Sequence, residues 1–320
     1  MRTLILGGSG FIGSHVVARL KQEDVPIIVF DRNTGGFPTK SGVTYVKGEF
    51  GNRGELQRLF SSAEITEVVH FVASTLPETS VLDPQFDVRT NLEQTISLLD
   101  LCVQHKVRKV LFMSSGGTVY GIPKYLPVDE KHPTDPITSY GITKLAIEKY
   151  LQLFQHLHGL SYVCIRAANP YGPGQSPLAS QGAIPVFCYR MLRDEALDIW
   201  GDGSTVRDFF HVRDLVDLVV RALFSPATGV FNAGSGTGTS LASLIETLEQ
   251  VLKRKALVRH LSGRLVDVPK IVLDCALAAQ TFEWAPTLTL ENGIRDTAEW
   301  IRKRWLAGND TVIGNENLKC

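Results

Sequence analysis

The sequence contains 320 residues, and its 33 basic and 33 acidic side chains cancel at neutral pH. A chain of this length can fold as one large domain or as two smaller ones. Because the chain is neutral and carries no run of basic residues, its composition gives no reason to expect a nucleic acid or a membrane surface as a partner.

The first half of the chain alternates short apolar runs with stretches of helical spacing. Strands are predicted at 3–6, 26–30, 43–46, 67–72 and 109–114, and helices at 11–20, 54–60 and 88–105. Continuous apolar strands that alternate with helices are typical of a parallel sheet covered on both faces. The predicted fold class is therefore α/β.

The second half begins with a predicted helix at 140–156 and a strand at 161–165. Residues 169–185 are rich in Gly, Pro, Ser and Gln and are predicted to form loops. Further helices are predicted at 183–193, 212–224, 240–252 and near 291–303, and strands at 229–232 and near 257. The polar residues 308–320 are expected to form a frayed tail.

A glycine-rich turn joins the first predicted strand to the first predicted helix. Gly7 permits the tight turn, Gly10 lets the backbone approach a pyrophosphate, and Gly13 lets the helix pack against the sheet. Phe11 and Ile12 open this helix, whose N-terminal amide groups would face the pyrophosphate. The sequence therefore predicts a doubly wound, Rossmann-type dinucleotide-binding domain.

Asp31 ends the second predicted strand, about 20 residues after the glycines, where a carboxylate binds the ribose hydroxyls of adenosine. Such a carboxylate also repels a 2′-phosphate. The sequence therefore predicts NAD rather than NADP as the cofactor, although Arg32 follows directly and weakens the preference slightly.

Tyr140 and Lys144 lie four residues apart, which places them on one face of a predicted helix. A tyrosine is a poor base at neutral pH because its pKa is ordinarily near ~10. A neighbouring ammonium group and a positive nicotinamide ring are expected to lower that pKa. The pair could then exchange a proton with a substrate hydroxyl while a hydride moves to or from the cofactor, so both residues are predicted to be catalytic.

From residue 1 to about residue 305, the chain resembles the extended short-chain dehydrogenase/reductases, in particular the nucleotide-sugar epimerase/dehydratase family. The motifs that carry the resemblance are GGSGFIG at 7–13, HFVAS at 70–74, MSSGGTVYG at 113–121, YGITK at 140–144, RAANPYGPGQ at 166–175, WGDGSTVRDFFHVRD at 200–214 and GRLVD at 263–267. The resemblance implies a Rossmann domain over 1–168 plus 212–233. It also implies a smaller, interleaved α/β lobe over 169–211 plus 234–307 that binds the nucleotide sugar.

The resemblance also assigns residues to the cofactor. Phe71, Ala73 and Ser74 would line it, while Glu49 and Phe50 would lie near the adenine. The family more often has Asp at position 49, so the glutamate is a mild departure.

On the substrate side, the resemblance implies that Asn169 helps to bind the phosphates and that Arg207 and Arg264 clamp the diphosphate. Two guanidinium groups are well matched to a dianionic diphosphate. Asp267 would bind the ribose of the nucleoside. Trp200 would either pack near the nucleotide or belong to the core.

Members of this family begin by oxidising a sugar hydroxyl, usually at C4, and differ in the steps that follow. Its 4,6-dehydratases have an acidic pair where this chain has Gly117 and Thr118, and its decarboxylating members have a glutamate at the second position. Neither residue here can serve as a general acid or base. The resemblance therefore implies a nucleotide-sugar 4-epimerase, with a UDP-hexose as the expected substrate.

Many epimerases of the family have Ser or Thr where this chain has Gly116, and that hydroxyl bridges the substrate and the tyrosine. Ser115 is expected to replace it, with Thr118 as the alternative, and Ser114 is expected to be structural. The nearest alternative function is a 4-ketoreductase, which consumes reduced cofactor. A non-catalytic NAD-sensing protein is an alternative of another class, against which the intact tyrosine–lysine pair argues.

The helices at 88–105 and 140–156 both carry wide apolar faces. In the family such a pair forms a four-helix bundle between two subunits, so the resemblance implies a homodimer. The alternative is that both faces simply cover the sheet.

The five cysteines are an odd number at wide spacings, which predicts neither a disulfide framework nor a zinc site. Cys102 and Cys164 lie in apolar stretches and are predicted to be buried thiols. The N-terminal residues do not resemble a signal peptide, and no apolar stretch approaches the ~18 residues of a membrane span. A cytoplasmic protein without a bound metal is therefore expected.

Overall fold

A computed structural model of the protein describes residues 2–34, 42–263 and 268–307. The described strands are β1 (Arg2–Leu6), β2 (Ile27–Asp31), β3 (Val43–Lys47), β4 (Ile65–His70), β5 (Lys109–Ser115), β6 (Ser161–Ala167), β7 (Asn169–Tyr171), β8 (Leu197–Trp200), β9 (Val206–His211), β10 (Gly229–Ala233), β11 (Gly238–Ser240) and β12 (Val258–Leu261). The described α-helices are α1 (Phe11–Gln22), α2 (Arg53–Ser62), α3 (Pro77–Ser80), α4 (Pro84–Asp87), α5 (Gln94–Gln104), α6 (Ser139–His158), α7 (Ala183–Leu192), α8 (Val212–Phe224), α9 (Leu241–Leu252), α10 (Ala276–Phe282) and α11 (Leu290–Ile301). A π-helical segment, Val88–Glu93, joins α4 to α5, and a second, Arg302–Leu306, follows α11.

A seven-stranded parallel sheet forms the centre of the molecule, with the strands in the order β3, β2, β1, β4, β5, β6, β10. The direction of winding reverses at β1, which lies between β2 and β4. In such sheets ligands bind beside the carboxyl ends of the strands at this reversal. The α/β Rossmann class predicted from the sequence is thereby confirmed.

Both faces of the sheet are covered by helices, because successive side chains of each strand point in opposite directions. Ile5 of β1 belongs to a buried cluster with Leu20 of α1 and Val219 of α8. Its neighbour Leu4 belongs to a second cluster on the opposite face, with Leu98 of α5. Burial on both faces explains why the strands read as continuous apolar runs.

A third buried cluster lies outside the large sheet and includes Ile184 of α7, Leu248 of α9 and Ile294 of α11. These helices accompany a three-stranded sheet in the order β11, β9, β7 and a two-stranded pair of β8 with β12. The strands and helices around this third cluster all come from the part of the chain that follows β6. In sequence, α8 and β10, which belong to the large sheet and its covering helices, lie between them.

Most predicted elements are found within two residues of their expected bounds, and the differences concern short or polar segments. The predicted strand at 67–72 ends at His70, and the helix predicted from 88 continues back to Pro84. The predicted loop at 169–185 contains the short strand β7. The elements without a sequence prediction are β8, β9, β11, α3 and α10. They are stabilised by tertiary packing rather than by a long apolar pattern of their own.

Candidate active site

The loop between β1 and α1 is shaped by its glycines. Gly7 has a φ of +79°, a conformation that favours glycine. A Cβ at Gly13 would lie only 2.2 Å from the carbonyl oxygen of Gly7, so glycine at position 13 lets α1 begin directly against the loop. Gly10 precedes the helix and offers no side chain to cap its amide groups. The loop therefore presents backbone amides at a helix N-terminus, which suits a phosphate group.

Asp31 lies beside this loop. Its carboxylate accepts hydrogen bonds from the amide of Ser9, at 3.0 Å, and from the amide of Asn33, also at 3.0 Å. Within the described part of the chain, the buried Ser9 hydroxyl has no hydrogen-bond partner. An unsatisfied hydroxyl and a carboxylate at one glycine loop fit a dinucleotide with its pyrophosphate on the loop and its ribose at Asp31.

The loop after β4 also reaches this edge of the sheet. Phe71 follows β4 and is half-buried, Ala73 is exposed, and the amide of Ser74 donates to the Asn91 side chain at 2.8 Å. A Cβ at Gly7 would lie 3.2 Å from the amide nitrogen of Val72, so the two loops are in close contact. The predicted cofactor residues of both loops are therefore neighbours.

The two residues expected near the adenine differ in their surroundings. Glu49 is exposed, and its amide donates to the Glu55 carboxylate at 2.8 Å. Phe50 is buried and packs on the ring of His70, with 4.8 Å between the centroids. Phe50 thus belongs to the core beneath this edge of the sheet.

A cavity of about 490 Å³ opens at the carboxyl ends of the strands. It joins residues that are far apart in sequence, from the start of α1 to β9. The predicted site residues that line it are Phe11, Ile12, Ser115, Thr118, Tyr140, Asn169, Trp200 and Arg207. The structure therefore brings part of the predicted cofactor site, the catalytic helix and part of the predicted substrate site into one space.

Tyr140 and Lys144 occupy the first turns of α6, which is capped by the hydroxyl of Thr138. The Tyr140 amide donates to the Ser80 hydroxyl at 3.0 Å. The Lys144 ammonium donates to the carbonyl of Met113 at 2.9 Å and lies 5.4 Å from the centroid of the tyrosine ring. Tyr140 thus lines the cavity, and the buried Lys144 ammonium is held against β5 beside it.

The electrostatics of the pair differ from the sequence prediction. Desolvation, with a second contribution from the negative charge of Asp87, raises the pKa of Tyr140 to about 12. Desolvation lowers the pKa of Lys144 to about 8. The sequence predicts a lowering by the ammonium and the nicotinamide ring together; in the protein alone the pKa of Tyr140 is raised, because burial penalises the phenolate.

Position 116 is confined to glycine by its surroundings. A Cβ there would lie 2.5 Å from Cδ1 of Leu273 and 2.9 Å from the carbonyl oxygen of Arg166. A serine or threonine at this position would therefore need Leu273 to move. The missing hydroxyl is a consequence of how this chain packs the loop after β5.

The two residues expected to supply the bridging hydroxyl, Ser115 and Thr118, both line the cavity. In the part of the chain that the structure describes, Oγ1 of Thr118 is buried without a hydrogen-bond partner. The Ser114 hydroxyl, by contrast, donates to the buried Glu148 carboxylate at 2.5 Å, as expected for a structural residue. Both candidates for the bridging role remain at the site.

On the substrate side, Nη1 of Arg207 donates to the carbonyls of Val206, at 3.0 Å, and of Val268, at 2.6 Å. The Asn169 side-chain amide donates to the carbonyl of Asp208 at 3.3 Å. Trp200, at the end of β8, is 40 % exposed and is therefore not a core residue. The predicted residues Arg264 and Asp267 lie outside the described residues, although the neighbouring Val268 touches Arg207.

The sequence analysis did not select Gln175 and Gln181, which also line the cavity. Gln175 could have been selected from the sequence, because it is the last residue of the motif at 166–175.

Among the residues that the structure describes, no group of three or more His, Cys, Asp or Glu side chains could hold a metal ion. None of the helices in these ranges combines the length and apolar character needed to cross a membrane.

The profile of the NAD-dependent epimerase/dehydratase family matches residues 3–234. The UDP-glucose 4-epimerase of Mycolicibacterium smegmatis is 33 % identical over 313 residues, which cover 95 % of this chain and 99 % of that protein. The crystal structure of the Thermotoga maritima UDP-glucose 4-epimerase with UDP-glucose is similar at a TM-score of 0.91 and 35 % identity, covering 95 % of this chain and 99 % of that one. The Thermus thermophilus UDP-glucose 4-epimerase in complex with NAD is similar at a TM-score of 0.89 and 30 % identity, covering 95 % and 100 %.

Proposed function

The chain belongs to the NAD-dependent epimerase/dehydratase family, and we propose that it is a nucleotide-sugar 4-epimerase acting on a UDP-hexose, with UDP-glucose as the first substrate to test. One observation carries the proposal. A single cavity joins the start of α1 to Tyr140 and Arg207, as an enzyme that holds NAD and a nucleotide sugar together requires.

NAD is the cofactor, and the residues at the glycine loop fit it. Gly7, Gly10 and Gly13 would hold the pyrophosphate at the start of α1, and Asp31 would accept hydrogen bonds from the adenosine ribose. When bound, NAD supplies a group that accepts the hydride from the sugar C4 and can return it.

The nucleotide sugar would lie along the rest of the cavity. Arg207 and Arg264 would bind the diphosphate, while Asn169 contributes a hydrogen bond. Asp267 would bind the uridine ribose, and the exposed Trp200 would stack near the base. The segments over 169–211 and 234–307 would thus form the substrate lobe, and those over 1–168 and 212–233 the cofactor domain.

Tyr140 is the proposed acid and base. Its oxygen takes the proton of the sugar 4-hydroxyl as C4 loses its hydride and the C4–O bond becomes a carbonyl. The sugar then presents its other face, C4 regains the hydride on that side, and Tyr140 returns the proton to the oxygen. The reaction is a balanced isomerisation without a consumed co-reactant. Lys144 holds its charge beside the tyrosine and stabilises the phenolate.

The residues near Tyr140 support epimerisation over elimination of water. Gly117 and Thr118 line the cavity where an eliminating enzyme needs an acid and a base. Their inability to exchange a proton leaves Tyr140 as the proton-transfer group, which is what a 4-epimerase needs.

We also propose that the protein is a homodimer. Phe86, Val88, Ile142, Leu153 and Leu157 are exposed apolar side chains on the helical segments 84–104 and 139–158. A second copy would cover them in a bundle formed by these helices from both chains. Light scattering that shows a monomer at micromolar concentration would contradict this assembly.

A cytoplasmic location is proposed as well, supported by the cysteines. Cys102, Cys164, Cys188 and Cys275 are all free thiols, and the first three are buried. Free thiols are typical of a reducing compartment.

The proposed activity is tested by following UDP-glucose by NMR in the presence of the purified protein. We expect conversion to UDP-galactose, the 4-epimer, without added cofactor. Denaturation of the purified protein should release one NAD per chain, which mass spectrometry detects. An epimerase regenerates its cofactor in each cycle, so the cofactor can stay bound. An empty cofactor site and a requirement for added reduced cofactor would favour a 4-ketoreductase instead. A screen of dTDP- and GDP-sugars covers the remaining nucleotides.

A further inference from the structure

Asp87 is a fully buried carboxylate directly behind the catalytic helix. It ends α4, and its oxygens accept hydrogen bonds from four side chains. The donors to Oδ1 are the Thr75 hydroxyl at 2.5 Å and the Asn91 amide at 2.8 Å, and the donors to Oδ2 are the Ser139 and Thr143 hydroxyls, both at 2.8 Å. Each oxygen of the carboxylate thus accepts two hydrogen bonds.

Two of these donors lie on α6, one on either side of Tyr140 in sequence. Ser139 is its neighbour, and Thr143 lies one turn further along, beside Lys144. The other two donors belong to the cofactor side, since the Asn91 side chain also accepts the amide proton of Ser74 at 2.8 Å. Asp87 therefore ties the turn that carries the tyrosine to the loop that is proposed to line NAD.

None of the four donors carries a charge. Within the described residues, no basic side chain forms an ion pair with Asp87, in contrast to the buried Glu148, which pairs with Arg166 at 2.6 Å. The negative charge of Asp87 therefore acts on the nearby titratable groups through space, in surroundings of low polarity where such fields are strong.

We propose that Asp87 is a positioning residue for the reaction: it holds the turn that carries Tyr140 and supplies the buried negative charge that balances Lys144. This inference rests on the proposed function for its catalytic meaning. Burial alone disfavours an ammonium at position 144, and a carboxylate nearby opposes that effect. Desolvation, with the charge of Asp87 as a second contribution, favours the protonated form of Tyr140.

The charge environment of the pair is defined by few groups. Asp87 raises the pKa of Tyr140 and opposes the desolvation that lowers the pKa of Lys144. Among the described residues, the titratable groups around the two side chains include Asp87 of α4, Glu148 of α6, Cys164 of β6 and His70 of β4, with Glu78 of α3 at the cavity. Removal of the negative charge at position 87 should lower the pKa of Tyr140 and that of Lys144 together.

Asp87→Asn is the variant that tests the charge. Asparagine has the same shape, and the Ser139 and Thr143 hydroxyls can turn to accept from its amide group, so the hydrogen bonds can be kept. Asp214→Asn is the matched control. Asp214 is also a buried carboxylate, which accepts hydrogen bonds from Thr287 and Leu288 beside α8, away from the cavity.

Two titrations are recorded on the NAD-loaded protein. The first follows tyrosinate absorbance against pH, with Tyr140→Phe subtracted to isolate Tyr140. The second follows the pH dependence of kcat with UDP-glucose, whose acid limb reports the base and whose alkaline limb reports Lys144 as a coupled pair. We expect Asp87→Asn to move the tyrosinate curve and both limbs to lower pH by about one unit. Asp214→Asn should leave all of them at the wild-type position.

Unmoved curves in Asp87→Asn would overturn the proposal, whether or not the variant has lost activity. If the wild-type protein converts none of the nucleotide sugars tested, the proposed function fails, but the tyrosinate titration still decides the role of Asp87.

Thr143→Val is the second variant, needed if Asp87→Asn does not fold. It keeps the charge and removes one hydrogen bond, so turnover should fall while the tyrosinate curve stays in place. The proposal is that the charge of Asp87 sets the pKa of Tyr140 and that its hydrogen bonds hold the helix turn. A shifted tyrosinate titration in Thr143→Val, or turnover equal to that of the wild type, would contradict it.

Discussion

Leu273 fills the space that a side chain at Gly116 would need, with its Cδ1 only 2.5 Å from the place of a Cβ. Gly116→Ser should therefore destabilise the protein by about 1–3 kcal/mol, the range for overpacking a filled site. Urea denaturation measures the free energy of unfolding of the wild type and the variants. The double variant with Leu273→Ala should lose less than the sum of the two single changes, because the smaller side chain makes room. Additive losses would show that the two residues do not compete for this space.

The bridging hydroxyl is assigned by comparing Ser115→Ala with Thr118→Val. If Ser115 bridges Tyr140 and the sugar, its loss should reduce turnover by about 10–100-fold at a nearly constant KM, as expected for an interaction made in the transition state. Thr118→Val should then be close to wild type. Steady-state kinetics on both variants provide the measurement. The reverse pattern would identify Thr118, whose buried hydroxyl lacks a partner among the described residues.

Asp31 should determine the choice between NAD and NADP. Asp31→Ala removes the acceptor for the ribose hydroxyls and the charge that repels a 2′-phosphate, so NAD affinity should fall by about tenfold while the preference over NADP narrows. Calorimetry with both dinucleotides on the cofactor-free protein measures the two affinities. Glu23→Ala, which removes an exposed carboxylate that pairs with Arg19, is the control and should change neither. A wild-type protein that binds NADP as tightly as NAD would contradict this role.

The fold was predictable because each central strand is a continuous apolar run followed by a turn or a helix. The proposed cofactor residues were recognisable for the same reason, since Gly7 directly follows β1 and Asp31 is the last residue of β2. The role proposed for Asp87 could not be predicted from the sequence. It depends on four hydrogen-bond donors that are distributed between residues 75 and 143 and meet only in the folded protein. The pKa of Tyr140 also depends on burial, which a spacing of four residues to Lys144 does not reveal.

Arg207 should contribute to substrate binding rather than to the chemical step, because the diphosphate does not change during the reaction. Arg207→Gln should weaken the binding of UDP by ~1.5–3 kcal/mol, which raises KM more than it lowers kcat. Arg264→Gln should behave alike. The dissociation constant of UDP and the kinetic constants are the measurements. Arg213→Gln is the control, since this exposed arginine pairs with Asp296 outside the cavity. Unchanged UDP affinity in both Arg207→Gln and Arg264→Gln would refute the diphosphate clamp.

Tyr140→Phe tests the chemistry itself. The change removes the proposed proton acceptor for the 4-hydroxyl but keeps the ring that packs at the start of α6, so the fold and the bound NAD should be retained. Turnover should fall by at least ~10²–10⁴-fold, the typical cost of losing a general base.

The control for this variant is Tyr125→Phe, which also removes a phenolic hydroxyl, in this case one that donates to Asp129 outside the cavity. Tyr125→Phe should have wild-type turnover. The loss of turnover in Tyr140→Phe would then be due to the place of that hydroxyl in the cavity and not to the removal of a phenolic hydroxyl in general. NAD content, circular dichroism and kcat are measured on both proteins. Because the hydroxyl proton must leave C4–OH for the carbonyl to form, an active Tyr140→Phe enzyme would mean that another group takes this proton. The hydroxyls of Ser115 and Thr118, which also line the cavity, cannot hold this proton at neutral pH. Full activity would therefore refute the mechanism for every sugar that the cavity accepts.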